Sequence, residues 1–267
     1  MANTIQNATN KLARTGQPKL ADYVKSMEKE IAKALPSVIT PERFTRITLS
    51  ALSSNPELQQ TTPQSFLGAM MTAAQLGVEP NTPLGQAYLI PYRNKGVLEC
   101  QFQLGAKGLV DLAYRSGEIS IIQAHAVYEN DEFHYEFGLD PKLEHKPALK
   151  DRGEPIAFYA VFRTKDGGYG FEVMSVEDVK LHAKKYSKAY NSPYSPWTTS
   201  FEEMAKKTLI KRVLKYAPLK SDFARQISAD ETIKTEISTD MLDVVPEPIE
   251  AEVTIVDQET GEIKTEQ

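Results

Sequence analysis

Residues 101–119 have the sequence QFQLGAKGLVDLAYRSGEI, which predicts a strand, a glycine turn and a short helix. Gly105, Lys107 and Gly108 lie where the strand gives way to the helix, and Arg115 follows about two helical turns later. Free N–H groups at a helix N-terminus favour an anion, and a lysine beside them adds to the attraction. The turn therefore predicts a phosphate contact, although its glycines equally fit a turn that needs them only for its backbone shape.

Alternating polar and apolar residues on both sides of this stretch predict a sheet built from hairpins. Turn residues NKG at 94–96 close the first hairpin, and DGG at 166–168 closes the second. The predicted strands occupy residues 86–92, 97–104, 119–128, 132–137, 156–164 and 168–175.

Helix starts are marked by side chains that can satisfy free backbone N–H groups. Thr40 and Thr62 each precede a proline, while Ser175 and Ser200 each have an acid three residues later. Apolar residues at helical spacing predict an earlier helix within residues 23–35. The predicted fold class is α+β, with a mainly antiparallel sheet of hairpins flanked by helices.

The composition is that of a globular protein, with 41% hydrophobic and 25% charged residues in a chain of 267. No apolar run approaches the roughly 20 residues that span a bilayer. The first twenty residues lack the apolar segment of a secretory signal. The lone Cys100 cannot form an internal disulfide. These features predict a cytoplasmic location without membrane contact.

Charge is distributed unevenly along the chain. Residues 229–267 contain twelve acids and two lysines, a balance of −10, and since the whole chain carries −5, residues 1–228 carry +5. Residues 180–225 contain eleven lysines or arginines and three acids, a balance of +8. The sequence predicts a disordered N-terminus at 1–19, a folded core at 20–228 and a disordered acidic tail at 229–267.

Sequence signatures of catalysis are weak. The glycine turn is neither a P-loop nor a dinucleotide-binding fingerprint, and four histidines with one cysteine show no zinc-ligand spacing. No catalytic residue, metal or cofactor is therefore predicted, and the chain is not expected to be an enzyme. The alternative is a Mg²⁺-dependent nuclease that uses Asp131, Glu144 and Lys146, although these residues also fit a polar strand edge that faces water.

The stretch KKYSKAYNSPYSPW at residues 184–197 alternates lysines with aromatic residues. Such a mixture suits single-stranded nucleic acid, because phosphates attract the cations while unpaired bases stack on the rings. Lys207, Lys211 and Lys215 are spaced four apart and so form one stripe on the next predicted helix. Two plainer readings stay open: the stripe can be an ordinary solvated face, and Trp197 can belong to the core.

Several long segments together resemble the RecT family of phage and prophage single-strand annealing recombinases. The resemblance covers roughly residues 20–225, with segments in the family's order. The resembling segments are QLGVEPNTPLGQAYLIPY, QFQLGAKGLVDLAYRSGEI, EFHYEFGLDPKLEHKP, FYAVFRTKDGGYGFEVMS and SPWTTSFEEMAKKTLIKRVLKY. Many relatives have an aromatic residue where this chain has Ala106, so the stacking contact is not carried over at that position.

The resemblance implies a protein of DNA recombination and repair that coats single-stranded DNA and anneals a complementary strand without ATP. It implies a fold of hairpin, sheet and helix, and a homo-oligomer that forms a ring or a helical filament around single strands and the annealed duplex intermediate. A 5'-3' exonuclease and the host single-strand-binding protein are the expected protein partners. The DNA-binding residues that it suggests are Lys107, Arg115, Trp197, Lys206, Lys207, Lys211 and Arg212.

The acidic tail has no assigned role in this resemblance. Its charge of −10 near a block of +8 predicts either competition with DNA for the basic surface or docking of a nuclease or single-strand-binding protein.

Overall fold

The computed structural model describes residues 19–187, 190–193, 195–218, 221–249, 255–256 and 263–264. The predicted disorder of residues 1–19 falls, apart from residue 19, outside this range, as do Lys188 and Tyr194 of the basic block. Most of the predicted tail beyond residue 249 also lies outside it.

Helices and antiparallel strands make up the described chain, which confirms the predicted α+β class. Within that part of the chain the helices are α1 (Leu20–Ser26), α2 (Glu28–Ala34), α3 (Pro41–Ser54), α4 (Pro63–Leu76), α5 (Ala106–Arg115), α6 (Val176–Tyr186), α7 (Pro196–Thr199), α8 (Phe201–Val213) and α9 (Ser221–Ser228). The strands are β1 (Ala87–Asn94), β2 (Val97–Leu104), β3 (Ile119–Tyr128), β4 (Glu132–Glu136), β5 (Lys142–Lys146), β6 (Pro155–Thr164), β7 (Tyr169–Ser175), β8 (Ile255–Val256) and β9 (Ile263–Lys264). None of the described helices is both long and apolar enough to cross a bilayer.

The amino-terminal helices begin where the sequence predicts. Thr40 caps α3 by accepting from Arg43 N–H, and Thr62 caps α4 by accepting from Ser65 N–H. The helix predicted within residues 23–35 is instead two short helices, since the backbone leaves helical geometry at Met27. Helix α4 is buried along nearly its whole length and packs against the β1–β2 hairpin.

The β1–β2 hairpin has a two-residue turn in which Lys95 and Gly96 both have positive φ. Such a turn matches the twist of the flanking strands, which explains why a glycine follows the lysine here. Phe102 and Leu104 of β2 point into the core beside α4. This hairpin is therefore fixed to the helical layer through β2.

A second sheet has the order β3-β6-β7 and is antiparallel throughout. Helix α8 packs across all three strands, and α6 follows β7 through a capping box between Ser175 and Asp178. The capping box predicted at Ser200 is wrong, because the Ser200 side chain accepts no capping hydrogen bond. The separate β4–β5 hairpin rests on this sheet through Phe133, whose ring stacks on Tyr159 at 5.7 Å.

Residues 229–249, called here the carboxy-terminal segment, fold back onto the core. Ala229, Ile233 and Met241 are buried, and Thr232 forms an antiparallel bridge with Phe102 at the edge of β2. The sequence predicts disorder from residue 229, and the structure differs for these residues. The physical reason is that apolar residues recur among the acids and find an open sheet edge and the surface of α4 to cover.

Candidate nucleic-acid interface

The glycine turn before α5 owes its composition to packing. A Cβ atom on Gly105 or Gly108 would lie 2.0 Å from the carbonyl oxygen of Gly85 or Gln86, respectively, so neither position accepts a side chain without movement of the backbone. Lys107 stands exposed in the first turn of α5. Backbone packing is thus sufficient to explain the two glycines. At this turn, Lys107 is the side chain that stays available for an anion.

Arg115 holds two structural contacts at the end of α5. Its Nη1 atom donates to the carbonyl oxygen of Leu76, the last residue of α4, at 2.9 Å, and its Nη2 atom lies 3.0 Å from Asp111 Oδ2. A cation at this position satisfies a free carbonyl at a helix C-terminus and complements the helix dipole. The structure therefore gives Arg115 a role in joining two helices.

The basic residues of α8 point to different neighbours. Lys206 pairs with Glu203 of its own helix at 2.9 Å, and Arg212 pairs with Glu172 of β7, its Nε atom donating at 2.8 Å. Lys207 and Lys211 face the carboxy-terminal segment and are mostly covered, with side chains 12% and 30% exposed. The stripe predicted from sequence is therefore solvated mainly at Lys215, beyond the end of the helix.

Trp197 belongs to the core. Its side chain is buried in α7, with its ring centroid 6.1 Å from that of Phe201. Ser195 caps this short helix by accepting from Trp197 N–H, and that start turns the indole inward. The structure thus agrees with the alternative that Trp197 belongs to the core. The buried ring is not exposed for stacking with a base.

Cations from α6 and α8 gather around His182. Burial lowers the pKa of His182, and the nearby positive charges lower it further. The ring of Tyr186 lies 4.7 Å from that of His182, and Lys185 Nζ lies 5.1 Å from the centre of the Tyr186 ring. We call this surface the basic face; the cations that act on its histidine are Lys185, Lys211, Arg212 and Lys215.

Exposed aromatic rings accompany these cations. Tyr186 is 66% exposed, and Tyr216, next to Lys215, is 77% exposed. Phosphates of a single strand are attracted by such cations while unpaired bases stack on rings of this kind, and neither contact depends on base identity. Helical spacing would place Tyr216 on the same side as Ala205, Leu209 and Val213, which are buried, but Tyr216 lies beyond the end of α8 and is exposed.

The residues proposed for a nuclease do not converge on a metal site. The side chain of Asp131 is buried, and its carboxylate accepts hydrogen bonds from Arg152, His145 and the backbone N–H groups of Tyr128 and Ala148. The hydrogen bonds from Arg152 are the main reason that the pKa of Asp131 lies well below its usual range. Asp131 is therefore an anchor whose oxygens are already occupied.

The other two residues of that alternative lie on β5 and face solvent. Lys146 pairs with Glu132 at 2.9 Å, and Glu144 stands opposite His134 in the β4–β5 register. Over the described part of the chain, no group of three or more histidine, cysteine or acidic side chains is placed to hold a metal ion. Asp131, Glu144 and Lys146 are thus explained by their contacts within the fold and at a strand edge, and they are not arranged to bind a metal ion together.

Sequence reasoning missed two features of this surface. The environment of His182 was not predictable because the cations that act on it come from parts of the chain that are separate in sequence, Lys185 of α6 and the residues around the end of α8. The pairing of Lys207 and Lys211 with Asp230 was missed because the tail was expected to be free. The helical spacing of the lysines was the available signal, yet spacing does not reveal what covers a stripe.

Comparison with known proteins places these elements in a family. A family model described as the RecT family matches residues 42–243, a range that contains α6, α8 and the first part of the carboxy-terminal segment. Protein RecT of Escherichia coli (strain K12) is 43% identical over 210 residues, 77% of this chain and 77% of that protein. Uncharacterized protein YqaK of Bacillus subtilis (strain 168) is 31% identical over 192 residues, 71% of this chain and 64% of that protein. Because the family match covers well over half of the chain and includes its basic face, this protein belongs to the RecT family.

Proposed function

We propose that this protein binds single-stranded DNA without regard to sequence and anneals complementary strands without ATP or another cofactor. Its family is one of DNA recombination and single-strand annealing, which gives the general role of the chain. The observation that carries the specific proposal is the basic face, where the charges of Lys185, Lys211, Arg212 and Lys215 act on His182, whose ring lies 4.7 Å from that of exposed Tyr186.

Annealing sets a particular requirement that this surface meets. The protein must hold the sugar-phosphate chain and leave base edges free to find a partner, so phosphate contacts supply affinity and base pairing supplies specificity. Lys107, exposed in the first turn of α5, is a further proposed phosphate contact. We include in the proposal a homo-oligomer, a ring or a helical filament, because repeating one weak site along a strand gives cooperative binding. A 5'-3' exonuclease and the host single-strand-binding protein are the proposed partners.

The test is a strand-pairing assay with complementary oligonucleotides that carry a fluorophore and a quencher, in the presence of EDTA and without nucleotide. We expect faster quenching than in the protein-free reaction, and no acceleration would contradict the proposal. The same preparation is incubated with end-labelled single strands and Mg²⁺. If the native protein shortens the strands and the Asp131→Ala protein leaves them intact, the nuclease alternative would be favoured instead. Electron micrographs with single and complementary strands test the oligomer.

A further inference from the structure

We propose that Lys207, Lys211 and the backbone N–H of Leu104 form a phosphate-binding site of single-stranded DNA, which Asp230 and Glu231 fill while no DNA is bound. We call these three groups the anion site. The proposal rests on the proposed function, because it assigns a further site and an internal competitor to the same ligand.

The geometry of the anion site is built around the carboxylate of Asp230, whose side chain is fully buried. One oxygen accepts from Leu104 N–H at 2.7 Å, and the other accepts from Lys211 Nζ at 2.8 Å, with Lys207 Nζ 3.9 Å away. Glu231 Oε1 lies 3.8 Å from Lys207 Nζ and 3.9 Å from Lys211 Nζ. Two ammonium groups thus face two carboxylates.

These contacts are those that a phosphodiester would accept. A backbone N–H and two ammonium groups converging on one anion are charge-assisted donors, and they do not distinguish a carboxylate oxygen from a phosphate oxygen. Burial alone would lower the pKa of Lys211, but the negative charges of Asp230 and Glu231 outweigh it and the pKa is raised. The lysine stays charged in its covered position, ready to pair with another anion.

The two acids lie in a part of the segment that can leave without the rest. They stand between the end of α9 and Thr232, which is bonded to Phe102 in both directions at 2.9 and 3.2 Å. Beyond the bridge, Gln75 of α4 accepts from Met241 N–H at 2.6 Å. Thr232 and Met241 thus anchor the chain after the acids. Release of the acids opens the ion pairs, the bond to Leu104, the bond from Gln101 Nε2 to the carbonyl oxygen of Glu231 and the bond from Asp230 N–H to Ile227, while these two anchors stay in place.

Backbone strain favours this local release. Glu231 has a φ of 61°, in the left-handed region that side chains other than glycine rarely adopt. The contacts of Asp230 and Glu231 hold the chain in that conformation. When a phosphate takes over the lysines, the backbone at Glu231 is free to relax.

The anion site adjoins the basic face through Lys211. The charge of Lys211 contributes to the lowered pKa of His182, and its Nζ atom donates to Asp230 at 2.8 Å. A strand bound along the basic face thus reaches the covered lysine pair directly. Displacement of the two acids would free Lys211 from its pairing and uncover Lys207, so both lysines could contact phosphate.

A reversible crosslink tests the displacement. Thr232 bridges Phe102 in the antiparallel sense, so Gln103 and Glu231 are the next residues on the two sides of the bridge and are neighbours across it. Cysteines at such neighbouring positions can reach the Cα separation of about 4.4–6.8 Å that a disulfide requires. The double variant Gln103→Cys/Glu231→Cys therefore locks the segment when oxidised and frees it when reduced. Cys100 is buried and burial raises the pKa of its thiol, so it does not compete.

Single-stranded DNA binding is then measured over a salt series in both forms of the double variant. We expect the reduced protein to bind more tightly and its log–log salt slope to be steeper by about 1.4, two contacts of about 0.7 each. Equal affinity and slope in two forms that both bind would overturn the anion site and leave the proposed function standing. No binding by either form would overturn the proposed function itself. The single cysteine variants, which cannot form the internal bond, control for the oxidant.

Neutralising the competitor gives an independent measurement. Asp230→Asn/Glu231→Gln keeps an acceptor for Leu104 N–H while removing both charges, so we expect tighter binding at low salt and a gain that shrinks as salt rises. Glu236→Gln is the matched control, since it removes an exposed acid of the same segment away from the lysines. An equal gain per charge in the control would mean that general attraction, not occupation of the anion site, governs the effect, and would overturn the proposal.

Discussion

The guanidinium of Arg152 forms a bidentate pair with the buried carboxylate of Asp131, with Nε donating to Oδ1 at 2.9 Å and Nη2 donating to Oδ2. His145 Nε2 lies 3.0 Å from the same Oδ2 atom. Asp131 follows β3 and His145 belongs to β5, so this one carboxylate ties the β4–β5 hairpin to the three-stranded sheet. A carboxylate with so many donors stabilises the folded state only while it is ionised.

We expect Asp131→Asn to lower the melting temperature at pH 7. We also expect the melting temperature of the variant to depend less on pH in the acidic range. The pKa of Asp131 is depressed in the folded protein, so its contribution is complete above the unfolded value of about 3.9. It is lost as pH falls through the lower folded pKa. Thermal unfolding from pH 7 to pH 2 measures this, and the gap between the two proteins should narrow below about pH 4. Asp140→Asn, at an exposed site, is the control, and a constant gap would contradict the assignment.

The second prediction concerns Trp197. Because the indole is buried beside Phe201, Trp197→Ala should cost about 3–5 kcal/mol of unfolding free energy, measured by chemical denaturation. Affinity for single-stranded DNA, measured well below the melting temperature, should stay unchanged. A base stacked on this ring would instead make the substitution cost about 1–3 kcal/mol of binding with little loss of stability. Trp197→Phe keeps most of the apolar volume and should be milder in stability.

The third prediction separates the basic face from ordinary surface charge. Lys185 and Lys215 are exposed, so replacing both with alanine should weaken binding to single strands with little change in melting temperature. The log–log salt slope should fall by about 1.4 for two lost phosphate contacts. Lys25→Ala/Lys29→Ala removes the same charge from exposed positions in α1 and α2. If both double variants change the slope equally, the basic face has no special part in binding.

The fourth prediction uses the environment of His182. Burial and the nearby cations lower the pKa of His182, so the neutral form of the ring is favoured in the DNA-free protein. DNA phosphates offset those cations and favour protonation. Binding should therefore strengthen as pH falls from 7 to 5, and His182→Gln should reduce this gain. His134→Gln, on the exposed β4 strand, should not reduce it.

Protonation of His182 is expected to strengthen DNA binding but to destabilise the folded, DNA-free protein. A folded pKa below the unfolded value of about 6.5 means that the stability contribution is complete above that pH and is lost as pH falls through the folded pKa. DNA-free protein should thus melt earlier at pH 5 than at pH 7, and His182→Gln should lessen that difference. A DNA affinity that is flat with pH in the native protein would contradict the proposed place of His182.

Local structure was predictable wherever one or two residues dictate the backbone. Thr40 and Thr62 start helices because a hydroxyl before proline caps them, and the turn at Lys95-Gly96 closes a hairpin because Gly96 readily adopts the positive φ that the turn requires. Long-range partners were not predictable in this way. Asp230 is far from Leu104 in sequence, and only the folded chain shows that its carboxylate accepts from that strand and covers Lys211.

The site followed the same division. The sequence indicated a basic, aromatic region near residues 184–215, and the basic face lies there. Which members point outward depended on packing: Trp197 went inward, while Tyr216 went outward. Residue type and spacing identify a region, but the neighbouring elements decide which atoms a ligand can reach.

Gly68 in α4 determines how closely the carboxy-terminal segment approaches that helix. A Cβ atom at this position would lie 1.9 Å from the carbonyl oxygen of Lys234, and a backbone atom cannot swing aside as a flexible side-chain tip does. A single methyl group would therefore lift the segment away from the helix. It follows that the missing Cβ of one helical residue permits the close packing by which residues 229–249 return to the helical layer, so this glycine governs the path of a segment far away in the sequence.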